Sequence, residues 1–288
     1  MPNVLTVRDR DELAGRRVDD SQGNVRDRDA ERLVILIHGY QNSEDKAGGS
    51  YKKFRKLVRS VALGGERGVG AIWEFHWPGN HTLWPVSVFG YPVRIGAARI
   101  AGDLLARRWL ADRGSHQSVV LVAHSLGCRV ALETVWAILD EQQRGNYDGA
   151  RIEAVFLLAA AVPTRLCAPG MAFANRYPDS KDHVFFSQND ITLRFTFNPG
   201  QYVGSERGVA VGRAGEPRSR WTTRHDTRLS HGGYWKSQSV AAKVCELLDA
   251  LDRRAIEDRQ LAMAEVIDYA PSIEPRHLPE RYPPIRFV

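Results

Sequence analysis

Short apolar runs, separated by polar and turn-forming segments, divide this chain into alternating strands and helices. Continuous apolar runs of this kind are typical of strands buried on both faces of a sheet. They predict strands at residues 33–37, 71–77, 118–124, 152–161 and 182–187. Apolar residues at helical spacing predict helices at residues 51–61, 93–110, 130–139 and 239–251, the first of them capped by Ser50. The alternation predicts an α/β fold with a mostly parallel central sheet and helices on both faces.

The two ends of the chain and two internal segments differ from this pattern. Residues 1–32 carry dense mixed charge and form either an edge strand or a loosely ordered arm. The α/β domain is predicted to span 33–251, with insertions at about 80–92 and 191–228. The first insertion is apolar, whereas the second holds seven arginines against three acidic residues. Residues 252–288 are predicted to extend the last helix and to end in a proline-rich tail.

Composition narrows the class of protein. Of 288 residues, 43% are hydrophobic and 26% are charged, as in ordinary globular proteins. The net charge of +6 is compatible with an anionic substrate or with peripheral contact with an anionic membrane, but it is too small to indicate nucleic-acid binding. The N-terminus lacks a signal-peptide pattern, and the three cysteines in apolar surroundings predict buried thiols in a reducing compartment, so we expect a cytoplasmic protein. Neither a metal-binding motif nor a phosphate loop is found, so we expect no cofactor.

Ser125 is the first candidate for chemistry. It stands between a buried strand and a helix, with the small residues Ala123 and Gly127 two positions before and after it. This spacing is typical of a nucleophile elbow, a tight turn that lifts the hydroxyl out of the sheet. A serine that only caps the helix gives the same pattern. The preceding His124 is expected to point elsewhere and is given no catalytic role.

A serine nucleophile needs a base, and the base needs an acid that fixes its tautomer. Asp190 directly follows the strand at 182–187, so it is the predicted acid, although an aspartate there also forms turns. His231 lies in a glycine-bearing turn before the last helix and is the predicted base. His225, six residues earlier, remains a competitor.

The developing negative charge of an acyl-transfer reaction needs two backbone N–H donors. Leu126, which follows the nucleophile, is predicted to supply one of them. The other is expected in the loop after the first central strand, where Tyr40 follows His38 and Gly39 and Gln41 is the second choice.

Together these motifs resemble an α/β-hydrolase of the serine esterase/lipase group. The motifs that carry the resemblance are Leu33–Tyr40, Phe75–Gly79, Val119–Gly127, Asp190 and His231. Within that group they are most similar to a poorly characterised bacterial branch with a His-Gly-Tyr loop, a Trp-Pro after the next strand and an Ala-His-Ser-x-Gly elbow. The resemblance covers roughly residues 33–251. It implies hydrolysis of a carboxylic ester through an acyl-enzyme on Ser125.

Two segments near the expected site mouth suggest how substrate is bound. Trp84 and Phe89 in the apolar insertion would line an acyl pocket, and Arg220, with Arg213 and Arg218, would suit a negative group on an acyl ester such as a phospholipid. These arginines serve equally well as solvated surface residues. Two other readings keep the same residues: a non-catalytic binding protein on this fold, and an acyltransferase or thioesterase. The sequence does not determine the oligomeric state.

Overall fold

The computed structural model describes residues 2–8, 18–24, 30–40, 42–62, 68–79, 87–114, 117–167, 182–197 and 208–268. Within these ranges, eight strands form one sheet. They are β1 (Asn3–Arg8), β2 (Val18–Asn24), β3 (Arg32–Ile37), β4 (Ala71–His76), β5 (Ser118–His124), β6 (Arg151–Leu158), β7 (Asp182–Phe186) and β8 (Thr223–Asp226).

The strand order across the sheet is β2-β1-β4-β3-β5-β6-β7-β8. Of the neighbouring pairs among these strands, β1–β2 is antiparallel and the others are parallel. The central strands β3 and β5 are almost entirely buried, because helices cover a parallel sheet on both of its faces. The predicted α/β class with a mostly parallel sheet is therefore confirmed.

In the described part of the chain, five α-helices connect or follow these strands. They are α1 (Glu44–Val61), α2 (Ser87–Leu104), α3 (Gly127–Gln143), α4 (Val211–Ala214) and α5 (Gln238–Asp268). The crossover from β3 through α1 to β4 runs in one direction across the sheet. The crossovers from β4 through α2 to β5 and from β5 through α3 to β6 run in the opposite direction. Since parallel crossovers are right-handed, α1 lies on one face while α2 and α3 share the opposite face, where they pack together.

Shorter helical turns complete the described structure. Leu105–Leu110 and Leu193–Phe197 are π-helical, and three segments are 3₁₀-helical: Thr164–Cys167, Arg218–Arg220 and His231–Lys236. Among the described helices, none is both long and apolar enough to cross a membrane.

Three local predictions differ from the structure. The first helix begins at Glu44, seven residues before the predicted start, and Ser43 rather than Ser50 caps it by accepting the N–H of Lys46. Strand β8 lies inside the segment predicted to be irregular. Its residues are polar and only partly buried, so they do not form the apolar run that predicts a strand. The N-terminal Asn3–Arg8 lies within the sheet, between β2 and β4.

The three cysteines are buried and free, as their apolar surroundings predicted. The chain divides into two compact units, Met1–Glu246 and Leu247–Val288. The described part of the second unit continues α5 to Asp268. The functional domain boundaries given above remain predictions.

Candidate active site

Ser125 lies in a strained turn between β5 and α3. Its φ is 56°, a left-handed conformation that non-glycine residues rarely adopt. Its N–H donates to the carbonyl oxygen of Leu158 at 2.9 Å, and its own carbonyl oxygen accepts the N–H of Ala161 at 3.1 Å. A Cβ on Gly127 would overlap the carbonyl oxygen of His38, so only glycine allows this turn to pack against the loop after β3.

The structure brings Ser125, His231 and Asp190 together, although the three come from distant parts of the chain. Nε2 of His231 lies 2.8 Å from Oγ of Ser125, and Nδ1 of His231 lies 2.8 Å from Oδ2 of Asp190. Because a carboxylate can only accept, Nδ1 of His231 carries the proton and Nε2 is free to accept from the serine hydroxyl. This arrangement is that of a nucleophile, a base and an orienting acid.

Asp190 is held on both of its carboxylate oxygens. The side chain is fully buried, and Oδ1 accepts the N–H of Leu193 at 2.9 Å while Oδ2 accepts from His231. The residue therefore caps the turn that follows it and orients the base at the same time. The contacts expected for both readings of this aspartate, turn former and partner of the base, are therefore made by one side chain.

His225, the competing base, lies away from this site. It is the third residue of β8, its ring centroid lies 4.5 Å from that of Phe185, and its Nε2 lies 2.9 Å from Oγ1 of Thr223. Burial lowers the pKa of His225, with a smaller contribution from the charge of Lys243. Of the two histidines, only His231 reaches the serine.

His124 contacts the base directly, so the expectation that it points elsewhere is wrong. Its Nε2–H donates to the carbonyl oxygen of His231 at 2.8 Å, and the two ring centroids are 5.0 Å apart. Burial and, secondly, the charge of His231 lower the pKa of His124 to about 3, so the ring is neutral near pH 7. A histidine before the nucleophile gave no sequence signal for this role, because its contact is made across 107 residues.

The loop after β3 approaches the nucleophile closely. A Cβ on Gly39 would lie only 2.7 Å from Cβ of Ser125 and 3.1 Å from the carbonyl oxygen of His124. Gly39, and with it the peptide that it shares with Tyr40, therefore lies beside Ser125, and Leu126, which follows Ser125, is buried. The alternative donor, Gln41, lies outside the described residues.

Of the three predicted substrate-binding side chains, the structure describes only that of Arg220. Trp84 lies outside the described residues, and Phe89 belongs to α2 although its side chain lies outside them too. Arg220 is buried, and its Nη2 lies 2.6 Å from Oδ2 of Asp182, the first residue of β7. Through β6, Asp182 is level with Leu121, four residues before Ser125, which places it about 13 Å back along the strands.

The prediction that Arg220 binds substrate is therefore wrong, because this arginine neutralises a buried carboxylate at the far edge of the sheet. Arg218 is largely exposed and pairs with Glu216. Arg213 lies on α4, which packs at the carboxyl end of β7. Among the described arginines of the segment, Arg213 and Arg220 thus lie at opposite edges of the sheet, so the charges are not gathered at one rim. Within the described ranges there is no cluster of metal-ligating side chains.

Among curated protein sequences, none matches this chain significantly. Similar solved structures include an uncharacterised protein from Bacillus cereus ATCC 10987, with 13% identity and a TM-score of 0.45 over 80% of this chain and 64% of that one. Esterase B from Lactobacillus rhamnosis has 12% identity and a TM-score of 0.39, over 80% of this chain and 79% of that one. MenH from S. aureus has 9% identity and a TM-score of 0.38, over 77% and 95%.

Residues 34–281 match the sequence model of one protein family, which is described as the alpha/beta hydrolase family. That range contains the elbow, the loop after β3 and the residues that surround Ser125. The chain therefore belongs to the alpha/beta hydrolase family.

Proposed function

We propose that this protein is a serine hydrolase that cleaves a carboxylic ester through an acyl-enzyme on Ser125. The observation that carries the proposal is the unbroken line from Ser125 Oγ through His231 to Asp190, with 2.8 Å at each step. This arrangement activates a serine, because Nε2 of His231 can take the hydroxyl proton as Oγ attacks.

In the first half of the reaction, Nε2 of His231 takes the hydroxyl proton while Oγ of Ser125 attacks the carbonyl carbon of the ester. The negative charge that forms on the carbonyl oxygen is held by the N–H groups of Tyr40 and Leu126. His231 then returns the proton to the departing alcohol, and the acyl group stays on Ser125. Asp190 remains ionised throughout and stabilises the transient imidazolium.

In the second half, a water molecule takes the place of the alcohol. His231 removes a proton from the water, the resulting hydroxide attacks the acyl carbon, and the proton passes to Oγ as the acid leaves. Acyl transfer to another alcohol or a thiol uses the same residues with a different second nucleophile. Adding ethanol during turnover and measuring the ratio of ethyl ester to free acid separates hydrolysis from transfer.

The proposal is tested with a fluorophosphonate probe, which labels only activated serines, together with p-nitrophenyl esters of increasing chain length. Labelling and turnover should be lost in Ser125→Ala and should fall by about 10³-fold or more in His231→Ala. His225→Ala is the matched control, because it removes a partly buried histidine of the same segment that does not contact the serine. It should label at the wild-type rate.

Two results would contradict the proposal. One is folded wild-type protein that neither labels nor turns over any of the esters, which would favour a non-catalytic binding protein. The other is undiminished labelling of His231→Ala, because the serine would then be activated without its proposed base.

A further inference from the structure

Arg8, the last residue of β1, reaches the loop that carries the proposed oxyanion donor. β1 runs parallel to β4, so its last residue lies at the same edge of the sheet as the loop after β3. Nη2 of Arg8 lies 2.6 Å from the carbonyl oxygen of Asn42 and 3.3 Å from Nε2 of His38. A guanidinium from the N-terminal strand therefore contacts both ends of the loop segment 38–42.

His38 connects Arg8 to the peptide between Gly39 and Tyr40. The ring is fully buried and stacked on Trp77, and Nε2 accepts the backbone N–H of Trp77 at 3.3 Å as well as the contact from Arg8. Burial and then the charge of Arg8 hold the pKa of His38 well below its ordinary value, so the ring is neutral. With Nε2 as the acceptor, Nδ1 carries the proton and donates to the carbonyl oxygen of Gly39 at 2.9 Å.

The carbonyl oxygen of Gly39 receives a second donor as well. Nδ2 of Asn42 donates to it at 3.1 Å, and the backbone of the same Asn42 is held by Arg8. This carbonyl belongs to the peptide whose N–H is that of Tyr40. Donors on the oxygen of a peptide polarise it and strengthen its N–H as a donor, and the effect is larger in a buried site.

We propose that Arg8 is a positioning residue for ester hydrolysis: through His38 and Asn42 it holds and polarises the Gly39–Tyr40 peptide, so that the Tyr40 N–H is aimed at the developing oxyanion. The inference rests on the proposed function for its catalytic consequence. It assigns a role to β1, which precedes the family match at residues 34–281. The loop is thus contacted by a strand that lies outside the residues matched by the family model.

The test compares Arg8→Met with Arg32→Met. Arg32 is a matched control because it is another partly buried arginine in a strand, and it pairs with Glu153 at the opposite edge of the sheet. Arg8→Gln, which keeps a donor without the charge, replaces Arg8→Met if that variant does not fold. Three measurements are made: steady-state hydrolysis of a p-nitrophenyl ester, which gives kcat and KM; the affinity of an alkylboronic acid, which forms a tetrahedral adduct with an active-site serine; and amide hydrogen exchange of residues 38–43.

For Arg8→Met we expect kcat to fall by about 10- to 100-fold with KM nearly unchanged, because the lost interaction acts on the transition state. Boronic acid affinity should fall by a similar factor, and exchange of the loop amides should become about tenfold faster. Arg32→Met should match the wild type in all three measurements. A general loss of stability would also lower the apparent kcat at unchanged KM, because it reduces the fraction of folded enzyme, but it would leave the boronic acid affinity of the folded enzyme unchanged.

Two outcomes would overturn the inference, and they differ from failure of the proposed function. If the wild type is active, a kcat of Arg8→Met within about twofold of that of Arg32→Met rejects the role of Arg8 and leaves the ester hydrolase intact. If the wild type neither turns over esters nor labels, the proposed function has failed. Amide hydrogen exchange of residues 38–43 still tests whether Arg8 holds the loop. Equal exchange rates in Arg8→Met and Arg32→Met would reject that role.

Discussion

Gly39→Ala tests whether the loop after β3 must lie against the nucleophile. The new Cβ would be 2.7 Å from Cβ of Ser125, whereas carbon atoms in contact are normally separated by about 3.5 to 4 Å. The loop or the elbow must therefore move by about 1 Å. The second contact is the carbonyl oxygen of His124 at 3.1 Å, a backbone atom of the sheet, so we expect the loop to be the part that moves.

If Tyr40 is the oxyanion donor proposed above, this displacement carries its N–H away from the oxyanion. Loss of one oxyanion donor costs about 10²- to 10³-fold in kcat, and a misplacement of about 1 Å is enough for a 10²-fold loss. We therefore expect kcat of Gly39→Ala to fall by about 10²-fold or more, with a smaller change in KM. Steady-state hydrolysis of a p-nitrophenyl ester measures both.

Gly49→Ala is the matched control. Gly49 is an exposed residue of α1 and has no atom within 4 Å of the position of an added Cβ. Its replacement should leave kcat unchanged and raise helix stability by up to ~1 kcal/mol. If Gly39→Ala folds, as judged by circular dichroism, and keeps the kcat of Gly49→Ala, the loop is not part of the catalytic machinery and the reasoning above is refuted.

Three further predictions concern a buried histidine, a buried ion pair and the acid. The pKa of His124, lowered to about 3 by burial, means that the unfolded chain takes up this proton first as the pH falls. The free energy of unfolding should therefore drop by about 2 kcal/mol between about pH 7.5 and about pH 5, and His124→Gln should lose this part of the dependence in urea titrations. Arg220→Met should lower the free energy of unfolding by about 3 to 5 kcal/mol, because it leaves the buried Asp182 carboxylate without its arginine. Its KM for anionic esters should not change, and a selective rise would restore the substrate-binding role. Asp190→Asn should reduce kcat by about 10⁴-fold because an amide favours the wrong tautomer of His231, and a loss below about tenfold would remove Asp190 from the triad.

The parts of the fold that the sequence predicted are those with a strong local signal. The central strands β3 and β5 are apolar runs with abrupt ends, so burial on both faces can be read directly from their composition. The start of α1 was misplaced because Gly48 and Gly49 interrupt its apolar pattern, although both lie in the helix. Strand β8 was missed because its neighbour β7, and not its own sequence, determines where it pairs.

In the candidate site, too, some residues have a sequence signal and others do not. Ser125, Asp190 and His231 could be selected by their positions relative to strands and helices, since parallel strands end at one edge of the sheet. The contact of His124 with the base and the pairing of Arg220 with Asp182 join residues 107 and 38 positions apart. Only the packed fold creates such contacts, so no local pattern signals them. An arginine in a polar segment is more often exposed than buried, which explains the error at Arg220.

The left-handed backbone of Ser125 also has a consequence for how mutation acts on this protein. Any residue with a Cβ at φ of 56° is held in a conformation that costs roughly 1 to 2 kcal/mol, whereas glycine adopts it without that penalty. Of two variants that both lack the hydroxyl, Ser125→Gly should thus be more stable than Ser125→Ala by about 1 kcal/mol in thermal unfolding. Selection for stability alone would favour glycine at the elbow, and the proposed nucleophilic role of Ser125 accounts for a serine at this destabilising position.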